Sequence, residues 1–188
     1  MRLFPKLVAL TFSILLTSCI AKVELPEPEP SGFQNPSDVC GDVIGEHPCD
    51  FSLVDHNGDV VDLYSFYGEV VVLDFSAMWC GPCRVAAQSI PEHALNYEAE
   101  GVVFITVLLQ NSSGDEPTIS DLQAWVNTYA IPPIAPVLGA TGSYVDGYSI
   151  DSFPRFIFID RDMTVRHIMR GWSGTQLEQI VEYLLSEQ

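Results

Sequence analysis

Residues 70–83 read VVVLDFSAMWCGPC, and this stretch decides the fold. Positions 70–75 form an apolar run broken only by Asp74 and bounded upstream by Gly68. Such a run is short for a helix and fits a strand buried on both faces. The chain then turns through Gly81 and Pro82 into residues 82–99, whose pattern is helical. Proline suits the first turn of a helix, because the N–H it lacks would have had no partner there. A buried strand, a tight turn and a helix N-terminus therefore meet at Cys80 and Cys83.

A Cys-x-x-Cys pair is either a redox dithiol or half of a zinc site. Zinc needs further ligands at comparable spacing, whereas the other cysteine pair is Cys40 and Cys49, and His47, His56, His93 and His167 are scattered along the chain. No metal site is expected. A dithiol has a direct rationale, since unpaired N–H groups and the partial positive charge of a helix N-terminus stabilise a thiolate. Cys80 is then the nucleophile. Cys83, one turn in, is expected to be more buried and to resolve the mixed disulfide.

Outward from this centre, residues 51–63, FSLVDHNGDVVDL, alternate around Asn57-Gly58, a pair that accepts φ > 0 at both positions of a two-residue hairpin turn. Pro91 predicts a kink in the helix after the dithiol. Residues 102–109 read as a second buried strand and 110–117 as a polar loop. Ile119, Leu122, Trp125, Val126 and Tyr129 recur at helical spacing up to Pro132-Pro133. Residues 156–159 and 164–169 read as further strands, and a last helix opens at Ser173 with Leu177, Ile180, Val181, Leu184 and Leu185 on one face. This order, after an added N-terminal hairpin, predicts an α/β domain with a mixed central sheet and helices on both of its faces.

The stretch from Asp74 to Cys83 resembles the active-site segment of thioredoxins, and the hairpin before it resembles the extracytoplasmic TlpA and ResA type thiol-disulfide oxidoreductases. The resemblance covers residues 40–188 and implies a thioredoxin fold and an enzyme acting on protein thiols and disulfides, with no cofactor beyond the Cys80-Cys83 pair. It implies that Asp74 is the buried carboxylate that accepts the resolving thiol's proton, and burial would raise its pKa toward neutrality. It further implies that Phe153-Pro154 is a cis-proline loop lying against the dithiol, that Gly171 borders the substrate groove, and that Trp79, Gly81, Pro82, Phe153 and Pro154 bind substrate. Trp79 is the aromatic expected to face a docking protein, whereas core packing is the expectation for Trp172 and Tyr148. Two departures stand out. Gln88 occupies the family's helix-kinking proline position, and no lysine follows Lys22 to pair with Asp74.

Residues 1–18 read MRLFPKLVALTFSILLTS, a basic start and an apolar run too short to span a bilayer, as in an export signal. The junction Leu16-Thr17-Ser18-Cys19 resembles a bacterial lipobox, which implies a lipidated Cys19; an ordinary secretory signal with a chance cysteine is the other reading. Ile20, in place of Asp, resembles outer-membrane rather than inner-membrane sorting. Residues 19–38, with Pro26-Glu27-Pro28-Glu29-Pro30, read as an extended tether. The division expected is thus signal 1–18, tether 19–38 and domain 39–188, with the domain lipid-anchored in the periplasm of the cell envelope.

The formal charge is −17, and loss of Arg2 and Lys6 with the signal takes it to −19. Such a field repels phosphate backbones, so nucleic acid is not an expected partner. Expected partners are envelope protein thiols and a membrane electron donor or acceptor, and the chain is expected to be a monomer. Cys40 and Cys49, close together in an exported chain, predict a structural disulfide, with a second redox relay as the alternative. Two other functions compete. One is a thiol peroxidase, against which Ala77 stands where peroxiredoxins carry a Thr; the other is a non-catalytic binding lipoprotein built on the same fold.

Overall fold

The computed structural model describes residues 40–140 and 145–187. The expected signal at 1–18, Cys19 and the tether at 19–38 lie outside the described residues. No helix among the described residues is long and apolar enough to cross a membrane.

The domain opens with β1 (Ser52–Asp55) and β2 (Val60–Asp62), an antiparallel hairpin. Its turn differs from the two-residue form expected. Asp55 N–H bonds to Asp59 C=O and Gly58 N–H to Asp55 C=O, leaving a three-residue loop in which Gly58, at φ 91°, is left-handed and Asn57 is not. The cause is Asp55, whose carboxylate accepts from the N–H groups of Asn57 and Asp59 and from the Asn57 side-chain amide. Such bonding favours an Asx-type turn beginning at Asp55.

Strand β3 (Val70–Ala77) is buried along its whole length. It leads into α1 (Gly81–Tyr97), then β4 (Val102–Gln110), α2 (Ile119–Tyr129), β5 (Val137–Gly139), β6 (Arg155–Ile159), β7 (Val165–Arg170) and α3 (Gly174–Ser186). Helix α1 runs through Pro91 as one helix. Proline forfeits one hydrogen bond there, and Ile90, His93 and Ala94 on either side remain buried. Helix α2 begins at a capping box in which Thr118 and Asp121 satisfy each other's backbone N–H groups, and α3 begins at Ser173, which accepts from Gln176 N–H.

The strands form one mixed sheet in the order β2-β1-β5-β4-β3-β6-β7, with β3, β4 and β5 parallel to one another. Strand β5 has no counterpart in the sequence reading, because three residues are too few to show a period. It carries the hairpin into the sheet by pairing with both β4 and β1.

The distribution of the helices also differs from expectation. Ala86 and Ile90 of α1, Leu122 and Trp125 of α2, and Leu177 and Val181 of α3 share one core with Val72, Phe104 and Phe156. The alternating positions Val71, Leu73, Phe75, Ile105 and Ile157 belong to a second core, covered by Phe51, Leu53, Leu63, Val145 and Tyr148. All three α-helices thus flank one face. The steps β3-α1-β4 and β4-α2-β5 progress in the same direction across the sheet, so right-handed crossovers place both helices on the same side.

Candidate active site

Strand β3 is buried to its last residue, Ala77, and the chain turns there into α1 at Gly81. Cys80 is the N-cap of that helix, and its Sγ accepts the Cys83 N–H at 3.2 Å. Cys80 and Cys83 are joined in a disulfide. In the reduced state the same N–H group and the helix dipole favour negative charge on the Cys80 sulfur. Cys83 is fully buried and Cys80 nearly so, while Gly81 and Pro82 are exposed. An attacking partner therefore meets the turn first. Arg84 Nε donates to the Met78 carbonyl at 2.7 Å, bracing this turn from the helix side.

Trp79 is 47% exposed beside the pair. Its indole N–H donates to Gln110 at 2.8 Å, and its ring meets Phe153 edge-on with centroids 5.9 Å apart. Through that contact the structure brings Phe153, distant in sequence, to the dithiol. The Phe153-Pro154 peptide is cis. Gly171 N–H donates to the Pro154 carbonyl at 2.8 Å, which ties β7's end to this loop. Trp172 packs against Phe156 and His93, and Tyr148 lies in the opposite core with its hydroxyl on the Cys49 carbonyl.

Asp74 follows Val72 by two positions on β3, so it lies on the helix-covered face with Cys83's core. It is 2% exposed. Burial pushes its carboxyl up to about 7, opposed by the Ser76 hydroxyl, which lies 2.8 Å from each carboxylate oxygen and shares its one proton between them. The side-chain partner of Asp74 is thus a neutral hydroxyl from its own strand and not a cation. Sequence reasoning missed it, although two residues apart on one strand is the spacing that puts side chains on the same face. Gln110 was missed as well, since nothing local links it to Trp79.

Cys40 and Cys49 are also joined in a disulfide, with Cα atoms 4.8 Å apart. Cys49 belongs to the core opposite the helices, so the sheet lies between it and the Cys80-Cys83 pair. Among the described residues, no group of three or more His, Cys, Asp or Glu side chains is arranged to hold a metal ion.

A family model described as AhpC/TSA matches residues 44–168. Thiol-disulfide oxidoreductase ResA of Bacillus thuringiensis subsp. konkukian is 29% identical over 142 residues, 75% of this chain and 76% of ResA. Among solved structures, a Chlorobium tepidum protein assigned as a thiol:disulfide interchange protein DsbE matches with a TM-score of 0.65 at 28% identity, covering 76% of this chain and 98% of that one. The exposed lipoprotein thioredoxin Etrx1 of Streptococcus pneumoniae matches with a TM-score of 0.59 at 25% identity, covering 72% of this chain and all of that one. With the matched segment running from the Cys40-Cys49 loop into β7, well over half of its length, the chain belongs to the AhpC/TSA family of thioredoxin-like proteins.

Proposed function

We propose that this protein exchanges disulfides with protein thiols through Cys80 and Cys83, in the cell envelope and on a lipid anchor at Cys19. It is a thiol-disulfide oxidoreductase of the thioredoxin-like class. The observation that carries the reading is the position of Cys80: N-cap of α1, disulfide-bonded to a fully buried Cys83 whose N–H points at the Cys80 sulfur.

In the reducing direction, the Cys80 thiolate attacks one sulfur of a substrate disulfide, forming a mixed disulfide and releasing the other substrate sulfur as a thiolate. Cys83 then loses its proton to Asp74, which a pKa of about 7 equips to accept it near neutral pH. The Cys83 thiolate attacks Cys80's sulfur, the second substrate sulfur leaves, and the enzyme ends as the Cys80-Cys83 disulfide. Two electrons pass to the substrate, and no cofactor beyond the dithiol is needed. Run backward, the same steps oxidise a substrate. Trp79, Gly81, Pro82, Phe153 and Pro154 form the surface that receives the substrate chain.

The lipobox-like junction before Cys19 and the Pro-Glu tether support the anchored location, as does similarity to a lipoprotein thioredoxin. On this reading a membrane redox protein reloads the dithiol. Ala77, three residues before Cys80, offers no hydroxyl at the place a peroxidase uses one.

Insulin reduction by dithiothreitol tests the proposal. The wild-type chain accelerates precipitation of the insulin B chain and a Cys80→Ser variant does not; equal rates from the two would overturn it. The dithiol's potential then assigns direction, near roughly −270 mV for a reductant and −120 mV for an oxidant.

A further inference from the structure

Arg155 directly follows Pro154, yet its side chain lies on the other face of the sheet, with Ile157 and Ile159. It is 2% exposed, a rare burial for a guanidinium. One terminal nitrogen meets Asp42, itself 7% exposed, and the other meets Asp151 at 3.2 Å. Asp42 belongs to the loop closed by the Cys40-Cys49 disulfide, and the same Asp42 oxygen accepts the Ser149 N–H at 3.1 Å. Asp151 also takes Arg170, the residue paired with Arg155 across β6 and β7. Asp42 therefore holds residues 149–155 at both ends, through the Ser149 N–H and the buried Arg155 guanidinium, while Asp151 within the segment, 59% exposed, adds a contact at the surface. Gly147 adds a second seam, packed so tightly on the disulfide that a Cβ there would overlap Cys49 Sγ.

This grip reaches the functional surface. A cleft of about 320 Å³ runs beside Phe153, between Gln110 at the end of β4 and Ile150 of the held segment with Gly147 and Tyr148 just before it. Its wall is thus fixed by Asp42 and Arg155, which touch neither thiol.

We infer that Arg155, with Asp42 as its counter-ion, is a positioning residue for the Pro154 loop, so that the Cys40-Cys49 loop sets how the site binds a protein substrate. The inference rests on the disulfide-exchange reading above. A buried ion pair is a costly way to hold a loop, and removing one partner leaves the other charged and unpaired. What the pair supplies is direction, since a planar guanidinium fork holds its carboxylate partners in a defined orientation.

The test compares full-length wild type with Asp42→Asn, Arg155→Met and Arg155→Lys. Two quantities are read: KM and kcat for insulin, and the rate constant for reduction of the Cys80-Cys83 disulfide by dithiothreitol, followed by the change in tryptophan fluorescence, Trp79 lying next to the pair. Dithiothreitol needs no docking surface. The expected result is a KM for insulin raised about tenfold in Asp42→Asn and Arg155→Met, partial rescue in Arg155→Lys, and dithiothreitol rates within about twofold of wild type, tenfold being the scale of one lost oriented contact. An unchanged KM overturns the inference, and so does a parallel fall of kcat and of the dithiothreitol rate, which would mean general damage. If wild type reacts with dithiothreitol but not with insulin, the disulfide-exchange reading fails instead.

Discussion

Replacing Asp74 with Asn is the most informative single perturbation, because it changes charge without changing shape. The folded carboxyl sits at about 7 and its ordinary value is 3.8. Between those values the native protein holds a proton that the unfolded chain has lost. Stability therefore falls as pH rises from about 4 to about 7 and levels off above, following the difference in bound protons. Roughly three pH units at ~1.4 kcal/mol each put the full loss on the order of 4 kcal/mol. The amide of Asp74→Asn carries no such penalty, and the Ser76 hydroxyl can still donate to its oxygen. Urea unfolding of both proteins across this range, disulfides intact, should give curves that coincide near pH 4 and diverge until the variant is the more stable by pH 8. The same substitution removes the proton acceptor, so insulin reduction should slow by about 10²-fold, the lower range for a positioned acid or base. Parallel stability curves across the window would refute the reasoning, since Asp74 would then titrate elsewhere and could not serve near neutrality.

Other substitutions separate scaffold from site. Trp79→Ala, which removes a half-exposed ring bonded to Gln110 and packed on Phe153, should cost about tenfold in kcat/KM for insulin while leaving the dithiol potential in place; an unchanged kcat/KM would remove Trp79 from the docking surface. Opening the second disulfide with Cys40→Ser and Cys49→Ser together should lower stability by about 2–4 kcal/mol, read as a drop in thermal midpoint; an unchanged midpoint would mean the loop holds without it. Gly147→Ala, at φ 93° and against Cys49 Sγ, should cost more than about 2 kcal/mol, measured by denaturant midpoint, and a neutral result would contradict the close packing described.

The sheet-turn-helix at the dithiol was legible because each of its signals is local: an apolar run, a turn dipeptide and a proline at a helix start. What escaped was set by distance or brevity. Strand β5 is three residues long, and its place between β1 and β4 comes from pairing, which leaves no trace in Val137, Leu138 and Gly139 themselves. The side taken by α2 follows from the direction of the crossovers, which requires the strand order. Asn57-Gly58 marked a turn but not its type, because Asp55 outside the dipeptide decides it. That no lysine pairs with Asp74 was plain in the sequence, but that Ser76 bonds it was not, because a serine within a strand carries no mark of its partner. Asp42 and Arg155 meet across 113 residues, so neither charge could be recognised as half of a buried pair.

The central claim is that Cys80 attacks and Cys83 resolves, and trapping tests it most directly. A Cys83→Ser variant incubated with an oxidised protein substrate should accumulate a mixed disulfide, and peptide mass mapping should locate the bond at Cys80. A Cys80→Ser variant should accumulate none, because Cys83 is buried behind the turn. Equal trapping by the two variants, or a substrate bond at Cys83, would contradict the account.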